Sequence, residues 1–218
     1  MSDDPDDSEL RRAVRQTAMR MYDIGLVVGT AGNVSGRGSD GSIIMTPSSV
    51  PYPEIGPDNL AVVSLDGETV SGSASPSSEK AMHLACYNAF PEVGGVVHCH
   101  PPYGSMFALA REPIPVCIEE GIVYVGGDIP LAEYRMTGSD ELAAEVVRHL
   151  ADRGAVLMAN HGLLCVGHSP QDALHTAEVV EHTARVAHGA EALGGVVPLP
   201  AEIVESFANV YRLIRSRW

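Results

Sequence analysis

The sequence predicts an α/β sandwich in which helices flank one sheet, and three observations carry that prediction. Amphipathic helical patterns alternate along the chain with short aliphatic runs, those runs are bounded by Gly, Asn, Ser and Pro, and 218 residues suit one domain with a full core. Composition agrees: 45% of residues are hydrophobic, 19% are charged, and aromatics are few enough, at 5%, that Val, Leu, Ile and Ala must form the core.

The elements follow in order. Residues 1–8 hold Asp3, Asp4, Asp6 and Asp7 around Pro5 and read as a disordered acidic tail, which leaves 9–218 as a single domain. From Glu9 to Gly25 the positions Leu10, Val14, Ala18, Met21 and Ile24 repeat at helical spacing. Residues 25–52 alternate short apolar runs with polar loops and read as strands, as does Leu60–Leu65 before the Asp66-Gly67 turn and a loose Ser/Gly/Pro segment to Pro76. Helix resumes near Ser78, with Ser at the N-cap and Glu79 in the first turn, and runs to about Phe90 before Pro91. Gly94–His98 is a buried-strand pattern, Tyr103–Ala110 a short helix opened by Pro101-Pro102, and Ile114–Ile118 a candidate strand. Asp140–Arg153 is a helix capped by Ser139 or Asp140 and closed by Gly154. Ala155–Ala159 and Leu163–Val166 read as strands, Pro170 to about Leu193 as a long helix, and Ser206–Arg217 as a final amphipathic one.

Fourteen basic against 28 acidic residues give a formal charge of −14, which repels nucleic acid and anionic membranes; no polyanion or membrane partner is expected. An anionic substrate would have to be met locally, by a metal ion or by backbone N–H groups. No apolar run nears the ~20 residues that span a bilayer, and the first ten residues lack the basic and apolar parts of a signal peptide, so a cytoplasmic location is expected. Cys86, Cys99, Cys117 and Cys165 are scattered singly and read as reduced thiols.

The chemistry concentrates in histidines. His98 and His100 stand two apart at the end of a strand, where the period of 2 points both imidazoles to one face and Cys99 to the other. His161 ends a different apolar strand, and three His with one carboxylate or water is the usual makeup of a catalytic zinc site. Loop histidines satisfied by nearby carbonyls would give the same pattern. Against that, both segments run from apolar strand to His to a turn bearing Gly or Pro, the placement at which α/β sheets bind ligands. His175 and His182, with Glu178 and Glu181, share a helix face that reads as solvated or as an interface.

Taken together with the polar loops, the chain from about Glu9 to Leu199 resembles the class II aldolase family that includes L-fuculose-1-phosphate aldolase and L-ribulose-5-phosphate 4-epimerase. The resemblance is carried by GlyThrAlaGlyAsnValSer at 29–35, ThrProSerSer at 46–49, ProSerSerGlu at 76–79, HisCysHis at 98–100 and AsnHisGly at 160–162, in the family's order. It implies a three-layer α/β/α sandwich with one mixed, largely antiparallel central sheet. It also implies one Zn2+ per subunit on His98, His100, His161 and Glu79, with other divalent first-row metals able to bind the same donors. By the same resemblance Glu79 would double as the catalytic proton carrier, and Gly32, Asn33, Ser48, Ser49, Ser77 and Ser78 would bind the phosphate of a small sugar phosphate.

The implied activity is a lyase reaction, retro-aldol cleavage of a short ketose 1-phosphate to dihydroxyacetone phosphate and an aldehyde, in a homotetramer with sites at subunit boundaries. A decarboxylase, dehydratase or epimerase of the same family, or a non-catalytic scaffold of the same fold, are the alternatives. The family's epimerase carries Asp where Glu79 stands, and its scaffold members lack the metal ligands. Two positions depart from the pattern. Ser49 replaces a common Gly, and the family's tyrosine after IleProVal falls at or near Glu119, which leaves Tyr124, Tyr134, Tyr211 and Glu119 as candidates for the second proton carrier.

Overall fold

The computed structural model describes residues 5–72 and 74–218, with the side chains of all but 5–7. Residues 1–4 of the acidic tail lie outside the described residues, and the first helix, α1 (Pro5–Asp23), begins four residues before the expected Glu9. No helix among the described residues is long and apolar enough to cross a membrane.

Among the described residues eight strands form one sheet: β1 (Asn33–Arg37), β2 (Ile43–Met45), β3 (Ala61–Val63), β4 (Thr69–Ser71), β5 (Gly95–Cys99), β6 (Leu131–Ala132), β7 (Ala155–Met158) and β8 (Gly162–Gly167). Their order is β4-β3-β2-β1-β5-β8-β7-β6, and every neighbouring pair is antiparallel except β6 with β7. The sheet is therefore mixed and largely antiparallel.

Strand alternation sorts the side chains into two cores. On one face Val97, Cys99, Leu163 and Cys165 pack with α1, α3 (Pro102–Ala110) and α6 (Pro170–Glu191). On the other, Val96, Leu164, Val166 and Val156 pack with α2 (Lys80–Ala89) and α5 (Asp140–Leu150). Helices on both faces give the expected three layers. A smaller cluster of Val116, Ile122 and Ala208 joins α4 (Glu119–Val125) to α7 (Ala201–Arg215) at one end.

Several segments differ from expectation: α5 ends at Leu150, short of Arg153, and α7 begins at Ala201, five residues before Ser206. Ile114–Ile118 is not a strand: Ile114 makes one isolated bridge to Ile129, and Ile118 is already the N-cap of α4. The Ser/Gly segment after Gly67 contains β4, an edge strand with all three residues exposed. The helix after the SerSerGlu motif starts at Lys80, with Glu79 itself in the N-cap position and making no capping bond. Glu79 is thereby released from the helix terminus and turns inward.

Candidate metal centre

Sheet register builds the site. β1 and β5 lie at the middle of the sheet with Asn33 opposite His98, and β8 pairs on the other side with His98 opposite Leu164. His100 follows the end of β5, and His161 sits in the turn from β7 to β8, so all three histidines meet at one end of the sheet. Gly162 is needed there: a Cβ would stand 2.5 Å from the Cys99 carbonyl oxygen and 2.6 Å from His100 Cδ2. Asn160, before His161, holds a left-handed φ of 56°, and its side-chain oxygen accepts two bonds from Arg111, at 3.0 and 2.7 Å.

His98, His100 and His161 form a group whose ligand atoms all lie within 4.8 Å of one another. His98 Nδ1 donates to the Leu163 carbonyl at 2.9 Å, which fixes the tautomer and leaves Nε2 as the free lone pair. That Nε2 lies 3.1 Å from His100 Nε2. Tetrahedral ligands at zinc–nitrogen distances of ~2.0–2.1 Å stand about 3.3 Å apart, so this spacing fits a shared ion.

Glu79, 8% exposed, completes the cluster: Oε2 is 3.2 Å from His98 Nε2 and Oε1 is 3.1 Å from His161 Nε2. Oε1 is buried without an aligned hydrogen bond. Three converging lone pairs and an unsatisfied carboxylate oxygen are the donor set of a divalent cation site. Burial alone would raise the Glu79 pKa, but hydrogen bonds and charge from His161 and His98, when their Nε2 atoms carry a proton in place of a metal ion, outweigh it and hold the carboxylate ionised, well below the usual range.

A second buried polar chain runs behind Glu79. Asn33 Nδ2 donates to Glu79 Oε2 at 2.8 Å, and His83 Nε2 stands 2.5 Å from Asn33 Oδ1. His83 Nδ1 is 2.7 Å from Ser35 Oγ, which is 2.8 Å from the Tyr87 hydroxyl. His83, Ser35, Asn33 and Tyr87 are all buried. Burial, helped by His98, pushes the His83 pKa down to about 3, and burial pushes that of His100 down to about 4. The motifs did not single out His83. Its position four residues after Glu79, on the same helix face, was the available signal.

Those depressed histidines fix a pH dependence. Their folded pKa values lie below the ordinary 6.5, so the native state binds fewer protons than the unfolded chain, and the stability they carry is lost as pH falls from about 6.5 toward 4 and 3. Chemical denaturation of the metal-free protein should show stability falling steadily between pH 7 and pH 5. A flat profile over that interval would contradict the burial assigned to these rings.

The serine loops converge beside this centre. Ser48 N donates to the Ser75 carbonyl at 2.9 Å, and Pro47 bridges Pro76, which ties 46–49 to 75–79. Thr46 N bonds the Val34 carbonyl and Val34 N bonds Thr46 Oγ1, which ties both to Gly32-Asn33. Ser77 Oγ accepts from Glu79 N at 3.2 Å. Gly32, at φ 77°, could take no side chain, because a Cβ would lie 2.6 Å from Val27 Cγ1 and 2.8 Å from the His98 carbonyl oxygen. Asn33 differs from the rest: both ends of its amide are already engaged by Glu79 and His83.

Ser49 adopts φ 60°, the left-handed conformation that glycine takes freely, which explains why the related pattern favours Gly there. Ser49→Gly is expected to raise folding stability by up to about 1 kcal/mol, the left-handed penalty less the added unfolded-state entropy. Urea unfolding would measure it, and a loss of stability would show that the hydroxyl outweighs the backbone strain.

The candidate proton carriers separate by position. Tyr211 is buried with its hydroxyl 3.3 Å from Arg215 Nη1, and it packs on Gly154, the residue before β7. Tyr124 is at that end too, its ring against His175. His161 follows β7, so both tyrosines lie across the sheet from the histidines. Glu119 is exposed at the start of α4. Tyr134, half exposed, leaves the sheet just after β6, whose Ala132 carbonyl bonds Ala159 N, two residues before His161. Gly138, in the same loop, packs on the Ser78 carbonyl.

The family model described as Class II Aldolase and Adducin N-terminal domain matches residues 12–188. A 5-deoxy-D-ribulose 1-phosphate aldolase from Bacillus thuringiensis serovar kurstaki is 32% identical over 193 residues, 88% of this chain and 90% of that protein. An L-fuculose phosphate aldolase from Escherichia coli is 35% identical over 180 residues, covering 82% of each, and an L-ribulose-5-phosphate 4-epimerase from Salmonella paratyphi B is 34% identical over 191 residues, covering 82% and 84%. A solved structure of L-fuculose 1-phosphate aldolase superposes with a TM-score of 0.89 at 31% identity, over 94% of this chain and 97% of that one.

Proposed function

The chain belongs to the Class II Aldolase and Adducin N-terminal domain family, and from that premise we propose that it is a zinc-dependent class II aldolase. Its reaction is the reversible cleavage of a short ketose 1-phosphate, of the L-fuculose-1-phosphate type, to dihydroxyacetone phosphate and an aldehyde. The observation that carries this reading is Glu79, a buried carboxylate released from its helix terminus and facing two of the three imidazoles. One relative and one solved structure are ketose 1-phosphate aldolases by name, which supports that substrate class.

His98, His100 and His161, with Glu79 before substrate arrives, would hold the ion. A divalent metal held there would supply Lewis acidity toward the substrate carbonyl and so lower the pKa of the neighbouring C–H. Glu79 moves the proton at that carbon. Ser48, Ser49, Ser77, Ser78 and the Gly32 backbone receive the phosphate, a local answer to a chain of charge −14, while the Asn33 side chain serves Glu79. In the cleavage direction the hydroxyl proton of the departing aldehyde needs a second acceptor, and Tyr134, at the histidine end of the sheet, takes that role. The proposal includes a cytoplasmic homotetramer.

Epimerase chemistry is disfavoured by Glu79, which stands where the family's epimerase carries Asp. The deciding experiment incubates zinc-loaded protein with a panel of ketose 1-phosphates and couples dihydroxyacetone phosphate to a reporter. Its appearance with at least one ketose is expected. Release of carbon dioxide, or loss of water, without dihydroxyacetone phosphate would assign decarboxylase or dehydratase chemistry instead.

A further inference from the structure

Donor and acceptor chemistry fixes the direction of every hydrogen bond in the buried chain behind Glu79. An ionised carboxylate only accepts, so the Asn33 amide nitrogen donates to Glu79 Oε2. The Asn33 oxygen is then the end facing His83, and since a carbonyl only accepts, His83 Nε2 carries the proton. A neutral imidazole has one N–H, so His83 Nδ1 accepts from the Ser35 hydroxyl, and Ser35 Oγ in turn accepts from the Tyr87 hydroxyl. Four bonds thus point one way, from Tyr87 through Ser35, His83 and Asn33 to Glu79.

This arrangement answers a problem the Asn33 amide poses. Its two ends have nearly the same shape, and a flip would set a carbonyl oxygen against the Glu79 carboxylate. The Glu79 carboxylate favours the N–H end on its own side, and the His83 N–H secures that orientation from the far side by donating to the Asn33 oxygen. We propose that His83 is a positioning residue: it locks the Asn33 amide with its N–H toward Glu79 and so aims the carboxylate at the histidine cluster. The inference rests on Glu79 as proton carrier. It adds a residue that touches neither substrate nor the metal ligands and acts through Asn33.

The test has two arms on the zinc-loaded full chain. In the first, the ring-nitrogen NMR signals of His83 in the unmutated protein should report the Nε2–H tautomer; an Nδ1–H tautomer reverses the chain and overturns the proposal. In the second, deuterium exchange into dihydroxyacetone phosphate is followed at saturation and below. His83→Phe should lower the maximal exchange rate by roughly 10–100-fold, the loss usual for partners that orient a metal site, with zinc content and half-saturation unchanged within about twofold. His83→Gln, whose amide can donate to Asn33, should recover most of that rate. A folded, zinc-loaded His83→Phe protein exchanging at the full rate overturns the proposal. Should His83→Phe not fold, the tautomer decides alone. Absence of exchange in the unmutated protein would instead defeat the aldolase reading, and the tautomer would still judge the chain.

Discussion

Glu79→Gln should reduce exchange of the ketose α-proton by roughly 10²–10⁴-fold, the span general acid–base groups contribute. The amide is isosteric with the carboxylate and can still accept from Asn33, so the fold and the serine loops should survive, and the three imidazoles should keep most of the metal. What is lost is a group able to take a proton from carbon. Phosphate affinity, measured with inorganic phosphate or dihydroxyacetone phosphate, should change little, which separates the proton step from binding. Undiminished exchange would remove Glu79 as the base and with it the central role in the proposed mechanism.

His161→Ala should release the ion itself. The Asn160-His161 turn brings the third nitrogen from a strand pair distinct from the one bearing His98 and His100, so its removal leaves two imidazoles and a carboxylate that has lost its Oε1 neighbour. Outer-shell changes cost 10–100-fold in metal affinity, and deletion of a direct ligand should exceed that, on the order of 10³-fold. Metal content after equilibrium dialysis against zinc would measure it. Retention of one zinc per chain would show that the ligand set is wrong.

Much of this site was legible because its signals are local. The two-residue spacing of His98 and His100 needs only a strand to become convergent, and Ser139 caps α5 as expected, its hydroxyl accepting from Leu142 N, although the helix stops at Leu150 and not at Gly154. Elements set by tertiary packing were not legible. GluGluGlyIleValTyrVal holds a Gly and three β-branched residues, poor helix formers, yet becomes α4 because Ile122 and Val125 are fully buried against neighbouring layers. β4 is exposed on every residue and exists only by pairing with β3. His83 escaped notice because its partners Asn33 and Ser35 lie about fifty positions away, brought near by the β1–α2 packing.

The two ends of the sheet carry a consequence for how copies of this chain can meet. One border is β4, three residues long and out of step with its neighbour through a register shift, and the other is β6, only two residues long. Each offers too short a row of unpaired backbone groups to template strand addition from another molecule. The protein is thus shielded from runaway edge-to-edge polymerisation, and any ordered oligomer must be built through side-chain surfaces of its helices and loops. Lengthening β6 by even a few extended residues would be the change most apt to open that edge to strand addition from another copy.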